Sequence, residues 1–231
     1  MRKIGLIGGT GPESTLVYYK ELTGNVARET GKFPFMTIES LSVFDVLRFC
    51  DERDYAGLAD YLLTGVRNLA AAGAEAAAFT GITVHVVFDE VARRSPIPII
   101  SMVDAARDYA AEKGCRRVAL LGTRPTMSGT FFQDSFNARG IGVVVPTSAE
   151  QDLIHERIST ELELGKVLPK TVGELKAIAG RLVREEGADA VVLGCTELPL
   201  AFEGVELPVP KLDVMRVHIG ALERFILGYG K

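Results

Sequence analysis

The chain has 231 residues, 47% of them hydrophobic and 24% charged, enough apolar mass for the cores of two small domains and too much for a disordered chain. Its formal net charge of −4, without a basic run, leaves no footprint for a phosphate backbone, so nucleic acid is not an expected partner. Three cysteines (Cys50, Cys115, Cys195) without C-x-x-C spacing predict neither disulfides nor a metal site, and no apolar stretch reaches the roughly 18 residues of a membrane span.

The first apolar run follows Arg2-Lys3 and stops at Gly8-Gly9, which reads as a buried strand and not a leader, so a cytoplasmic protein with reduced thiols is expected. Further short apolar runs at 34–41, 75–80, 97–102, 117–122, 141–145, 188–193 and 208–212 have strand length, and most are apolar on both faces, as parallel strands require. Between them, Ser14 to Ala27, Arg53 to Ala72, Thr83 to Arg94, Val103 to Lys113, Thr126 to Arg139, Gln151 to Gly165 and Thr171 to Glu186 carry apolar residues at helical spacing. Gly73, Gly114, Gly140 and Gly187 supply C-terminal stops.

The strands and helices also repeat. Ile4-Gly-Leu-Ile-Gly-Gly-Thr-Gly-Pro12 matches Val118-Ala-Leu-Leu-Gly-Thr-Arg-Pro-Thr126 in pattern at an offset of 114 residues, and the same offset carries Gly73–Gly81 onto Gly187–Cys195. The predicted fold is therefore α/β: two pseudo-symmetric, doubly wound parallel-sheet domains with the active site in the cleft between them. The expected N-terminal domain is 1–102 with a returning segment 208–231, and the second is 103–207. Ligands of such sheets sit at the carboxyl ends of the strands, which here means the loops at 8–13, 81–85, 122–127 and 194–197.

The glycine-rich loop Gly8-Gly9-Thr10-Gly11-Pro12 is a plausible anion cradle of backbone N–H groups, and Gly9 and Thr10 are its candidate substrate contacts. A dinucleotide is not expected, because Ser14 stands where the last glycine of that fingerprint belongs, no Walker lysine follows and no acidic residue ends a second strand about 20 residues later. Cys195 is the sharpest candidate. It lies between an apolar strand and the start of a helix, where amides and a helix N-terminus would lower its pKa and make a usable base, although Glu197 two residues on would push the other way. Cys50 and Cys115 are given no role.

Together, Gly8-Gly-Thr-Gly-Pro-Glu-Ser-Thr15 with Tyr18-Tyr19, Thr83-Val-His85, Leu121-Gly-Thr-Arg-Pro-Thr-Met127, Leu153-Ile-His155, Glu161-Leu-Glu-Leu-Gly-Lys166, Gly194-Cys-Thr-Glu197 and Asp213 with His218 resemble the aspartate/glutamate racemase family over almost the whole chain. The resemblance implies racemisation of a small acidic amino acid without cofactor or metal, by two thiols on opposite faces of Cα. Cys195 matches the second thiol. The first belongs to a Cys-Asn-Thr-x-His pattern that reads Gly81-Ile-Thr-Val-His85 here, so the first catalytic cysteine is replaced by Gly81. Thr83 keeps the family's threonine and is grouped with the catalytic positions. Thr80, Ile82, Thr126 and Thr196 are assigned to substrate binding, with Arg48 and Lys166 as candidate partners for a carboxylate. A hydroxyl heading a helix also caps it, so Thr126 and Thr196 have a structural alternative. One thiol facing a glycine resembles arylmalonate decarboxylase as well, and a binding protein that has lost turnover is the third reading. A homodimer is the expected assembly.

Overall fold

A computed structural model describes residues 1–229. The chain divides into two compact units, one formed by Met1–Ala105 with the segment that begins at His218, the other by Ala106–Val217.

The first unit contains β1 (Ile4–Gly8), α1 (Pro12–Thr30), β2 (Met36–Ser40), α2 (Val43–Asp51), α3 (Tyr55–Ala71), β3 (Ala76–Phe79), a 3₁₀ turn (Thr83–Val87), α4 (Phe88–Arg94), β4 (Ile99–Ile100) and the first turn of α5 (Met102–Glu112). All four strands are parallel, in the order β2-β1-β3-β4. Pro12 opens α1 with its fixed φ, the left-handed Gly31 closes it, and Tyr18, Leu22 and Val26, four residues apart, bury its inner stripe. Asp54 caps α3 by accepting from the Gly57 N–H, and Leu58, Leu62, Val66 and Leu69 face the core around Ile7, Ala77 and Phe79.

The second unit has β5 (Arg117–Gly122), α6 (Arg124–Ser128), α7 (Phe131–Asn137), β6 (Gly142–Val144), α8 (Ser148–Thr160), a 3₁₀ turn (Leu162–Leu164), α9 (Pro169–Glu186), β7 (Ala190–Gly194), α10 (Leu198–Ala201), β8 (Lys211–Asp213) and the start of α11 (Val214–Leu227). Its strands are again parallel, in the order β6-β5-β7-β8. Thr147 and Glu150 form a capping box at α8, and Glu150 is held in turn by Arg181 of α9. Ile154, Ile158, Leu175, Leu182, Val191 and Leu193 make the core.

The duplication holds to the residue. β1 pairs with β3 through Ile4↔Ala76, and β5 with β7 through Val118↔Ala190, both partners having advanced by 114. A backbone clamp at the amino ends of these strands repeats in the same register. The Lys3 N–H donates to Glu75 Oε1 at 2.9 Å, the Glu75 N–H returns to the Lys3 carbonyl at 2.9 Å, and Lys3 Nζ reaches the carbonyl of Ala72. In the second unit the Arg117 N–H donates to Asp189 Oδ1 at 3.2 Å, the Asp189 N–H to the Arg117 carbonyl at 2.8 Å, and Arg117 Nη1 to the Glu186 carbonyl at 2.9 Å.

The expected boundary at the C-terminus needs correcting. Segment 208–231 does not return whole to the first unit: β8 pairs with β7, and the crossover falls within α11. Three predicted helices are also interrupted, at 83–94 by a 3₁₀ turn, at 126–139 by the extended Gly129, and at 151–165 after Thr160. The helix α2 was not foreseen.

Candidate active site

In both sheets the chain leaves the first strand in one direction and returns on its other side, so the order reverses between β1 and β3 and again between β5 and β7. That reversal opens the crevice where ligands of such sheets bind. The residues at these four carboxyl ends are the ones the sequence singled out.

In the first unit Gly9 sits at φ 76°, and a Cβ there would fall 2.2 Å from the Leu41 carbonyl oxygen, so only glycine fits this turn. Its N–H donates to Thr15 Oγ1 at 3.1 Å. Thr80, expected at the substrate, is instead fully buried: its hydroxyl lies 3.2 Å from the Ile7 carbonyl, which accepts from it, and 3.0 Å from Thr15 Oγ1. It locks α1 onto the sheet. Ser14 joins the lock by donating to the carbonyls of Gly11 and Thr80. Thr10 is different. Its Oγ1 is buried without a partner among the described residues, and it lies 3.0 Å from where a Cβ on Gly81 would stand. The side chain of Ile82 is buried and apolar, and the half-buried Thr83 heads the 3₁₀ turn. Arg48 lies on α2, half-exposed, paired with Asp45 at 3.5 Å and Glu52 at 3.2 Å and resting over the Phe49 ring.

His85 and His218 are structural. The His85 ring donates through Nδ1 to the Ile82 carbonyl at 3.1 Å and accepts the Met102 N–H at Nε2 at 3.1 Å, stacked on Phe88. His218 accepts from the Tyr18 hydroxyl at Nδ1 at 2.7 Å and donates from Nε2 to the Ile100 carbonyl at 3.0 Å. Burial lowers both, to about 4 for His85 and about 3 for His218, so both are neutral.

In the second unit Cys195 follows β7 and is 6% exposed. Its Sγ–H donates to Glu197 Oε2 at 2.8 Å, while the Thr196 hydroxyl donates to Oε1 of the same carboxylate at 2.6 Å. The expectation of a lowered thiol pKa is overturned. Burial first, and then the Glu197 carboxylate, push Cys195 well above an ordinary thiol, and the four-residue α10, which begins three residues later, offers little helix field to oppose them. Cys195 is held as a thiol. Glu163, on the 3₁₀ turn before Lys166, is raised by burial and then by the facing Glu197, which places it beside the same cluster. Its part was not foreseen, although it lies inside the Glu161–Lys166 motif. Lys166 is exposed, and its N–H donates to the Glu161 carbonyl. Thr126 is fully buried. Its hydroxyl sits 3.1 Å from that of Thr123, and its methyl packs where a Cβ on Gly122 or Gly194 would stand, so it seals β5 against β7. Arg124 of the same turn pairs with Asp152.

Residues 7–222 match the model of the Asp/Glu/Hydantoin racemase family. The chain belongs to that family. Among solved structures it is similar to an aspartate racemase homologue of Pyrococcus horikoshii, at 34% identity over 98% of this chain and 100% of the other with a TM-score of 0.86. It is similar also to a candidate Asp/Glu racemase of Yersinia pestis, at 26% identity over the same shares with a TM-score of 0.93. A curated relative, the broad specificity amino-acid racemase RacX of Bacillus subtilis, is 22% identical over 225 residues, covering 91% of this chain and 92% of the relative. The two parallel four-stranded sheets with flanking helices are the two-domain α/β fold of these racemases.

Proposed function

We propose that the protein is a cofactor-independent racemase of aspartate or glutamate type, in which Cys195 moves the Cα proton and Glu197 holds and receives the thiol proton. The observation that carries this reading is the Sγ–H to Oε2 bond at the end of β7. For abstraction, the thiol proton passes to Glu197 and the desolvated thiolate removes the proton from Cα. For delivery, the neutral thiol gives its proton to the Cα carbanion and recovers one from Glu197. Backbone N–H groups of the strand-end turns stabilise the enediolate between the two steps. Lys166 offers a positive charge for an acidic side chain, and the Thr10 hydroxyl offers a buried polar group without a partner among the described residues. Gly81 carries no base, so one face of Cα exchanges faster than the substrate racemises. The protein is read as a cytoplasmic homodimer.

A second reading is favoured by the neutral thiol, which suits one-face protonation after loss of carbon dioxide from a malonate. Incubation in deuterium oxide with L- and D-aspartate and glutamate, followed by proton NMR of the α-hydrogen, tests the first reading. Exchange that is lost in C195A supports it; exchange that survives in C195A, or carbon dioxide release from malonates without amino-acid exchange, sinks it. Tight binding of an acidic amino acid without exchange would leave a binding protein.

A further inference from the structure

Of the three histidines, His85 and His218 each have both ring nitrogens bonded. His155, on α8, does not. The residue is half-buried, yet its Nδ1 is enclosed and has no hydrogen-bond partner among the described residues. A buried ring nitrogen left unbonded is uncommon and calls for an explanation. Its surroundings supply one.

Ile154, Ile158, Leu162, Cys195 and Leu198 belong to one core cluster, and the 3₁₀ turn Leu162–Leu164 packs against both α8 and α10. Three polar residues stand next in the chain to members of that cluster: His155 after Ile154, Glu163 after Leu162 and Glu197 before Leu198. Glu163 feels both of the others, since burial and then the Glu197 carboxylate push its pKa up and His155 pulls it down. Glu197 in turn accepts from Cys195 Sγ. The groups therefore run in order from a thiol that is 6% exposed to a ring that is partly in solvent. Glu161, the acid that precedes this turn, is not one of them: Arg157 binds it at 3.2 Å and Thr171 donates to it. The first unit has no counterpart to Glu197, because Thr83 stands at its repeat position 114 residues earlier.

We infer that Glu163 and His155 carry protons between Glu197 and solvent, and so set how often Cys195 returns a solvent proton to Cα in place of the one it removed. The inference rests on Cys195 as the base, as proposed above. Gly81 supplies no second donor, so every proton returned to Cα comes from Cys195. After abstraction the substrate proton is on Sγ and the former thiol proton on Glu197. Glu197 passes that proton to Glu163, which hands it, or the one it already holds, to His155 Nδ1, and the ring gives up another from Nε2 to water. The Glu197 carboxylate then takes the substrate proton from Sγ, and a solvent proton travels inward by the same steps. Only O–H, N–H and S–H bonds form and break, and one proton out for one in leaves the charge unchanged. His155 Nδ1 is not bonded to Glu163 at rest, so a rotation of the carboxyl side chain or one bridging water completes the path. An imidazole suits the last step, since it takes up and releases protons near neutral pH.

The test separates proton removal from proton exchange. Chloride release from 3-chloroaspartate in a single turnover, with enzyme in excess, counts Cα deprotonation alone, because the departing chloride consumes the carbanion before any proton returns. Wash-in of solvent deuterium at Cα of aspartate or glutamate needs the exchange as well. E163Q and H155N keep the side-chain shapes but not the titrating groups. Each is expected to slow wash-in about tenfold or more while chloride release stays within about twofold of the wild type, with circular dichroism as the fold control. Unchanged wash-in in either variant overturns the relay, and so does a parallel fall in both measurements, which would make the two residues structural. A wild type that neither exchanges nor releases chloride, or a C195A variant that still does both, overturns Cys195 as the base and the relay with it.

Discussion

The Sγ of Cys195 lies 2.8 Å from Glu197 Oε2 and donates to it, so the carboxylate that positions the thiol also keeps it protonated. E197Q removes the negative charge and leaves an amide of the same shape. The thiol pKa then falls, and alkylation of Cys195 by iodoacetamide, followed by mass spectrometry of its peptide, shifts its pH midpoint downward relative to the wild type. Racemase exchange falls in the same variant, because the proton has lost its acceptor. A midpoint that stays in place or rises removes Glu197 from the thiol's surroundings.

Gly81 tempts an experiment that the geometry complicates. A cysteine there would place the family's first thiol back on its strand end, and Gly81 needs no left-handed backbone, but its Cβ would meet Thr10 Oγ1 at 3.0 Å and the Thr10 carbonyl oxygen at 3.3 Å. G81C alone is expected to gain little, whereas G81C with T10A has the space and shows faster inversion of aspartate or glutamate by polarimetry. Equal rates for the two variants would mean that Thr10 does not limit the position.

The sequence carried the duplication in full, because parallel strands buried on both faces leave apolar runs whose spacing survives divergence. The strand register, the Lys3–Glu75 clamp and its Arg117–Asp189 copy all follow the 114-residue offset visible in the chain. What escaped it were features that depend on a side chain's direction. Thr80 and Gly194 share a repeat position, but only the structure shows the Thr80 hydroxyl turned inward to Ile7 and Thr15. Cys195 read as a thiolate from its place before a helix, and its burial, with the 2.8 Å approach of Glu197, reversed that. The helix α2 buries Val46 alone, and its nine residues were passed over although Val43, Val46, Leu47 and Cys50 stand at helical spacing. The crossover inside α11 leaves no break in the sequence at all.

The clamp predicts a paired stability effect. Asp189 accepts from the N–H groups of Arg116 and Arg117 as Glu75 does from Lys3, at the surface, where solvent moderates the loss. D189A and E75A should each cost about 1 kcal/mol in urea unfolding, with K3M costing less than either. A cost below measurement in both would make the repeat a matter of ancestry and not of stability.

His85 and His218 set the acid limit of the first unit. Both are buried and neutral, held at about 4 and about 3, against 6.5 for the exposed ring; the backbone carbonyls of Ile82 and Gly81, and then the nearby Asp104, only partly offset the burial of His85. Their folded values are depressed, so above about pH 6.5 neither state binds the proton and nothing is lost. As the pH falls below that value the unfolded chain protonates first. Stability drains away toward pH 4 for His85 and pH 3 for His218, at up to about 1.4 kcal/mol per pH unit for each. Urea unfolding at pH 7, 5.5 and 4.5 should show this slope, and H218F, which cannot titrate, should flatten it while lowering stability at pH 7 through loss of the hydrogen bonds that His218 makes with the Tyr18 hydroxyl and the Ile100 carbonyl. An unchanged slope in H218F would assign the acid sensitivity to carboxylates elsewhere.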